Sequence, residues 1–266
     1  MTNPKWPRAL LLCGLVAVAA CSGDGASSTN DAESADGVAG TETAAAATHN
    51  TLSADEESAG WMLLFDGQTS DGWRGYGRDD LPAASWKAVD GELAGLSSGG
   101  GMDGGDAITL AEFTDFDLVF DFKVGPEGNS GVFYRVKETT DKGLWEVAPE
   151  YQVLDDPAYI AMGTMDMNRH LTGDNYDLQS AAEKTMYPTG EWNTGRILVD
   201  GTHVEHWLNG RMTVEYELYS DEWEELVAKS KFGEEYSRAP SGSIGLQDHG
   251  TPVWYRNMKI RPLNDG

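Results

Sequence analysis

Residues 117–124, DLVFDFKV, alternate apolar and polar except at Val119. Leu118, Phe120, Phe122 and Val124 fall on one side, Asp117, Asp121 and Lys123 on the other. A two-residue side-chain period belongs to extended chain, so the segment predicts an antiparallel strand with one buried face. The same period returns downstream. RILVDGTHVEHWLNGRMTVEYEL (196–218) reads as three short strands joined by the tight-turn pairs Asp200-Gly201 and Asn209-Gly210. GSIGLQDHG (242–250) and VWYRNMKIRPL (253–263) add two more. Many short strands and 32 glycines predict an all-β sandwich or jelly roll. One flanking helix is expected in SDEWEELVAKSKF (220–232): Ser220 or Asp221 caps it, acids fill its first turn, and Trp223, Leu226 and Val227 recur at helical spacing.

The two ends bound the domain. Lys5 and Arg8 precede an apolar run, Ala9 to Ala20, that is too short to cross a bilayer and reads as a signal peptide. It closes in Val18-Ala19-Ala20-Cys21, a lipobox pattern that predicts lipidation at Cys21. Residues 1–21 are therefore expected to be a lipoprotein signal peptide and 22–57 a disordered Ala/Ser-rich acidic tether, poor in large apolar side chains. Residues 58–266 then form one domain, and the protein is an exported bacterial lipoprotein held on the membrane by its anchor, facing the periplasm or the cell surface. The only other cysteine, Cys13, leaves with the leader, so the mature domain has no thiol for catalysis, disulfides or metal ligation.

The net charge is −25, and residues after 60 still carry 36 acids against 17 bases. Such a surface repels nucleic acid and anionic headgroups and leaves a neutral or cationic ligand as the easier partner.

Four polar clusters stand out. PEYQVLDD (149–156) sets Glu150 and Gln152 on one side of a strand and Tyr151 and Val153 on the other. GNSGVFYRV (128–136) carries Asn129, Tyr134 and Arg135. In LQDHG (246–250), Ile244 and Leu246 face the core and Gln247 and His249 face away. NRHLTGDNYDL (168–178) is a polar loop with His170, Asp174 and Tyr176. Taken singly, each pattern is more often structural: a solvated strand face, a turn, an ion-pair partner. His206, between Val204 and Leu208, reads as a packed histidine. No zinc-protease motif, phosphate loop or nucleophile elbow is present.

As an ordered set, however, LFDGQTSDGW (64–73), NSGVFYRV, PEYQVLDD, EWN, HVEHWLNG, VAKSKF, GLQDHG and VWYRNMKI resemble the 3-keto-disaccharide hydrolase family, over about Trp61 to Leu263. That resemblance implies a concanavalin A-like (LamG-type) jelly roll and an oxidised, 3-keto glycoside as substrate. A ketone at C3 acidifies the C2 proton, so a base can remove it, the C1 substituent leaves by elimination, and water adds back. On this resemblance Glu150, His249 and Arg135 are the catalytic candidates, with Arg135 or a metal at the oxyanion. Asn129, Gln152, Gln247, Tyr176 and His170 are the expected substrate-binding residues. A divalent metal ion is implied as cofactor, with Glu150, Asp155 and His249 as candidate ligands. The alternative is a non-catalytic carbohydrate-binding jelly-roll module at the cell surface.

Overall fold

The computed structural model describes residues 48–96, 105–163 and 166–263. In chain order the strands are β1 (Met62–Leu63), β2 (Trp73–Gly75), β3 (Trp86–Val89), β4 (Glu92–Leu96), β5 (Ala107–Phe113), β6 (Phe116–Val124) and β7 (Asn129–Val136). They continue with β8 (Glu150–Leu154), β9 (Asn193–Asp200), β10 (His203–Leu208), β11 (Arg211–Glu217), β12 (Gly242–Leu246) and β13 (Pro252–Pro262). An eight-stranded sheet runs β11-β10-β9-β6-β13-β4-β3, with β1 against β13, and a five-stranded sheet runs β2-β5-β12-β7-β8. The pairings are antiparallel. The protein is an all-β jelly-roll sandwich of two antiparallel sheets.

The expected strand pattern is present. The inward residues of β6 are fully buried, and Phe120 meets Tyr151 of the opposite sheet edge-on at 5.4 Å. Phe120 also lies over Gly195, its cross-strand neighbour, where a Cβ would collide with the ring. Removing each such Phe or Leu side chain from water contributes ~1.5–3 kcal/mol. His206 is packed as its neighbours imply: it is buried between the sheets, with Nε2 2.9 Å from Tyr134 Oη, and burial pushes its pKa down to about 3.

The expected helix is α3 below, but it is not alone among the described residues. α1 (Ala54–Ser58) and α2 (Asp156–Met162) precede α3 (Asp221–Lys229), with one 3-10 turn at Leu144–Glu146. Ser220 caps α3 by accepting from Trp223 N, and Trp223 and Val227 are buried. α2 starts with a proline in its first turn and ends at Gly163 in the left-handed region, a pairing suited to short helices.

The tether boundary is corrected by ten residues. One compact unit spans Ala46–Gly266, and residues 48–57 have defined structure. Ser53 and Glu56 form a capping box on α1. Asn50 is buried: its Nδ2 donates to Gly91 O, its N donates to Asn257 Oδ1, and its Oδ1 accepts from Asn257 N. Attachment here is polar, so a search for apolar residues does not find it. The leader, Cys21 and the remaining tether lie outside the described residues.

Candidate active site

The five-stranded sheet turns one face into the core and the other away from it. Val132 and Tyr134 of β7 and Tyr151 and Val153 of β8 enter the core. By strand alternation Asn129, Gly131 and Phe133, with Glu150 and Gln152, take the opposite face. That face is not solvated: Glu150 and Gln152 are each only 2% exposed. Beside it, the NRHLTGDNYDL loop runs along β8 as an extra strand. Gly173 N donates to Gln152 O, Gln152 N to Asp174 O, and Tyr176 N to Glu150 O. This pairing also fixes Tyr176 beside Glu150.

One end of the face is apolar, built from Ile108, Phe133, Val136, Leu144 and Ala148. The other end is polar. Gln152 Nε2 donates to Asn129 Oδ1 at 3.0 Å, while Gln152 Oε1 is buried with no hydrogen-bond partner. An orphaned buried carbonyl is costly, and here it is free to accept from a ligand hydroxyl. Gln247 N donates to Gly131 O, which places β12's end beside the same glycine.

Glu150 is the centre of the arrangement. Its carboxyl lies over Gly131, where a Cβ would collide with it. Burial pushes its pKa up to about 8, against the lowering effect of the Lys231 charge, with the nearby Asp106 charge adding to the rise. Lys231 as a residue is exposed, yet its ammonium sits among rings: 4.3 Å from the Tyr176 centroid, 4.6 Å from Trp145 and 5.7 Å from Phe232. Its Nζ donates to Tyr176 Oη at 2.9 Å, and its backbone N donates to Asp177 Oδ2. Desolvation lowers the Lys231 pKa, opposed by Glu150, Asp177 and Glu146. Burial, then the Glu150 charge, raises Tyr176. Asp106, at the start of β5, accepts from Asp248 N at 2.8 Å, and burial raises its pKa to about 6.

Of the expected site residues, Glu150, Gln152, Asn129, Gln247 and Tyr176 come to this face or its edge. His170 meets Tyr176 edge to face with centroids 4.9 Å apart, and its ring nitrogens meet Asp166 O and Asp177 Oδ1. His249 is exposed, two residues past Gln247.

Arg135 is corrected. It occupies a bulge in β7, where Tyr134 and Arg135 together oppose Ile244, and its φ is 54°. The bulge breaks the alternation. Arg135 Nε donates to Thr114 O, and Nη2 to Asp115 Oδ1 and Gly201 O, so it ties loops at one end of the sandwich. Asp155 is corrected too: Oδ1 accepts from Thr189 Oγ1 and Oδ2 from Glu127 N, beyond the other end of β8. With Asp155 consumed, His249 exposed, and no group of three His, Cys, Asp or Glu among the described residues set to hold a metal ion, the three candidate ligands do not fit a divalent cation.

Lys231, Asp106 and Trp145 are the residues that sequence reasoning missed. Lys231 and Trp145 do lie in conspicuous stretches, VAKSKF and LWEVA.

The polar face thus brings together the Glu150 carboxyl, a second carboxyl of raised pKa at Asp106 and the Lys231 amine. The chain belongs to the family described as 3-keto-alpha-glucoside-1,2-lyase-like, whose model matches residues 60–261. It is 34% identical over 292 aligned residues to a 3-keto-disaccharide hydrolase of Bacteroides thetaiotaomicron, covering 99% of this chain and 100% of that one. A crystal structure from Parabacteroides distasonis ATCC 8503, provisionally described as a glycosyl hydrolase, superposes with TM-score 0.75 and 31% identity over 82% of this chain and 100% of its own. A second protein from that organism, described in the same way, gives TM-score 0.58 at 26% identity over 76% and 99%.

Proposed function

We propose that the protein cleaves the glycosidic bond of 3-keto-glycosides, with Glu150 as the base that removes the C2 proton. The observation that carries this reading is the buried Glu150 carboxyl lying over Gly131 on the polar face, where burial holds its pKa near 8. Ordinary glycoside hydrolysis uses two carboxyl groups about 5 Å or 6.5–9.5 Å apart across the sugar. Elimination next to a ketone asks instead for one base of matched pKa, a positive group near the developing enediolate oxygen, and an acid for the leaving oxygen.

Lys231 is the positive group, replacing Arg135. Asp106, whose pKa burial raises to about 6, closer to neutrality than an ordinary aspartate, is suited to exchange a proton with the leaving oxygen. Gln152 Oε1, Asn129 and Gln247 hold hydroxyls, and the Tyr176 and Trp145 rings flank the sugar. Water then adds at C1, and Glu150, its proton exchanged with solvent, protonates C2. The name of the B. thetaiotaomicron relative supports the substrate class. The same proposal puts the domain outside the cytoplasm on a lipid at Cys21, which metabolic labelling with an alkyne fatty acid tests by loss of label in Cys21→Ser.

The purified domain, incubated with a 3-keto-glucoside in D2O, should release aglycone and give a product deuterated at C2. Glu150→Gln should abolish both. Saturable binding of the keto-glycoside with neither release nor exchange would replace this reading with a binding module.

A further inference from the structure

Lys231 has more built around it than an electrostatic role requires. Its ammonium is boxed by Trp145, Tyr176 and Phe232. Phe232 continues inward as a stack of rings, 3.8 Å to Tyr236 and then 6.2 Å from Tyr236 to Trp223, so the wall behind the amine is fixed. Tyr176 ties the amine to the base: its backbone N donates to Glu150 O, and its hydroxyl accepts from Lys231 Nζ at 2.9 Å. An amine with a phenol and a carboxyl at hand, on a partly desolvated aromatic seat, has what a lysine needs to add to a carbonyl: a neutral form within reach and groups to carry protons.

We propose that Lys231 acts covalently, condensing through its ε-amine with the C3 ketone of the sugar to form an iminium from which Glu150 takes the C2 proton. This rests on the 3-keto-glycoside reading above. The neutral amine adds to C3, and with one proton taken up the C3 oxygen departs as water. The C2–H pair becomes the C2–C3 double bond of an enamine while the proton passes to Glu150. The enamine electrons then shift to C1–C2, the C1–O bond breaks, and the leaving oxygen takes a proton. Water adds to C1 of the conjugated iminium, C2 is reprotonated, and a second water hydrolyses the iminium to restore ketone and amine. The water lost at the first step is returned at the last, so one water is consumed overall. An iminium is a stronger electron sink than a ketone, which is the advantage over a lysine that only donates a hydrogen bond.

The test treats the domain with a 3-keto-glucoside and sodium cyanoborohydride, maps adducts by peptide mass spectrometry and measures aglycone release in parallel. The adduct is expected on the Lys231 peptide in the wild type and in Glu150→Gln, and absent in Lys231→Arg, which keeps the charge but cannot form the iminium. Turnover by Lys231→Arg should fall about a thousandfold or more. Wild-type release with no adduct, or Lys231→Arg within about tenfold of wild type, overturns the covalent role and leaves cleavage standing. An adduct without release supports the amine and overturns cleavage. Neither adduct nor release overturns both.

Discussion

The carboxyl of Glu150 occupies the space that a side chain on Gly131 would fill. The two residues sit on neighbouring strands, Glu150 opposite Phe133 and Gly131 opposite Gln152. The glycine is therefore what lets the base lie flat on the sheet. Gly131→Ala should displace the carboxyl and lower kcat/KM about a hundredfold, at a folding cost of about 1–3 kcal/mol from overpacking. Gly195→Ala is the control, since its Cβ meets the Phe120 ring in the core. It should lower Tm while the folded fraction keeps its activity. Equal activity losses in the two variants would sink the assignment of Gly131 to the site.

A buried carboxyl of raised pKa burdens the fold in a defined pH range. The ordinary glutamate value is 4.5 and that of Glu150 about 8. Between them the unfolded chain has released the proton and the folded chain retains it. Stability therefore falls as pH rises across that window and levels off above it. Glu150→Gln removes the dependence, so the variant should gain on the parent as pH rises, by a few kcal/mol at pH 8 as an upper limit. Urea midpoints at pH 5, 6.5 and 8 measure it. A constant difference across the three would refute a raised Glu150.

The same group sets the activity profile. A base must shed its own proton before it takes another, so kcat/KM should rise with pH to a limb near pH 8. Tyr176→Phe leaves the fold intact but takes away the oxygen that Lys231 Nζ donates to. It should lower kcat about ten- to a hundredfold, the range of one positioned proton-transfer partner, with a smaller change in KM. Pre-steady-state release of aglycone separates this from a loss of binding.

How far the site was legible follows from how each residue reaches it. Glu150 and Gln152 lie on a regular strand, so period-2 alternation separates them from Tyr151 and Val153. Alternation could not say that their face was buried, because the burial depends on segments distant in sequence. Arg135 was misplaced because one bulge cancels the alternation behind it. Lys231 was missed because a lysine just past a helix end reads as a favourable dipole contact. Asp106 follows a glycine-rich run that carries no period at all. Strand faces are local properties and can be read; convergence of distant segments is not.

The correction of Arg135 makes its own prediction. The guanidinium is buried against Asp115, with side chains 5% and 13% exposed, and also holds two loop carbonyls. Truncating one partner leaves the other charge without its counterpart, which costs about 3–5 kcal/mol in buried pairs. Arg135→Met should lower the unfolding free energy by that order and leave kcat of the folded enzyme unchanged. A selective loss of kcat with unchanged Tm would return Arg135 to the chemistry.

The docked segment before β1 gives a prediction about where the domain starts. α1 buries no residue, so its removal should matter little in itself. Asn50 is different: it bridges Gly91 and Asn257 through three hydrogen bonds, two of them closing a pair with Asn257. Asn257 has φ 49°, a left-handed conformation that these bonds help hold. A chain beginning at residue 58 loses all three, while one beginning at residue 48 keeps them. At about 1 kcal/mol for each net hydrogen bond, the shorter chain should be about 2–3 kcal/mol less stable, and Asn50→Ala in the longer chain should reproduce most of the loss. Lys259→Ala, which breaks the ion pair to Glu56 on α1, should change little, because partly exposed pairs contribute about 0–1 kcal/mol. Differential scanning calorimetry of the four proteins decides it. Matching Tm values for the chains beginning at 48 and 58 would put the boundary back at residue 58.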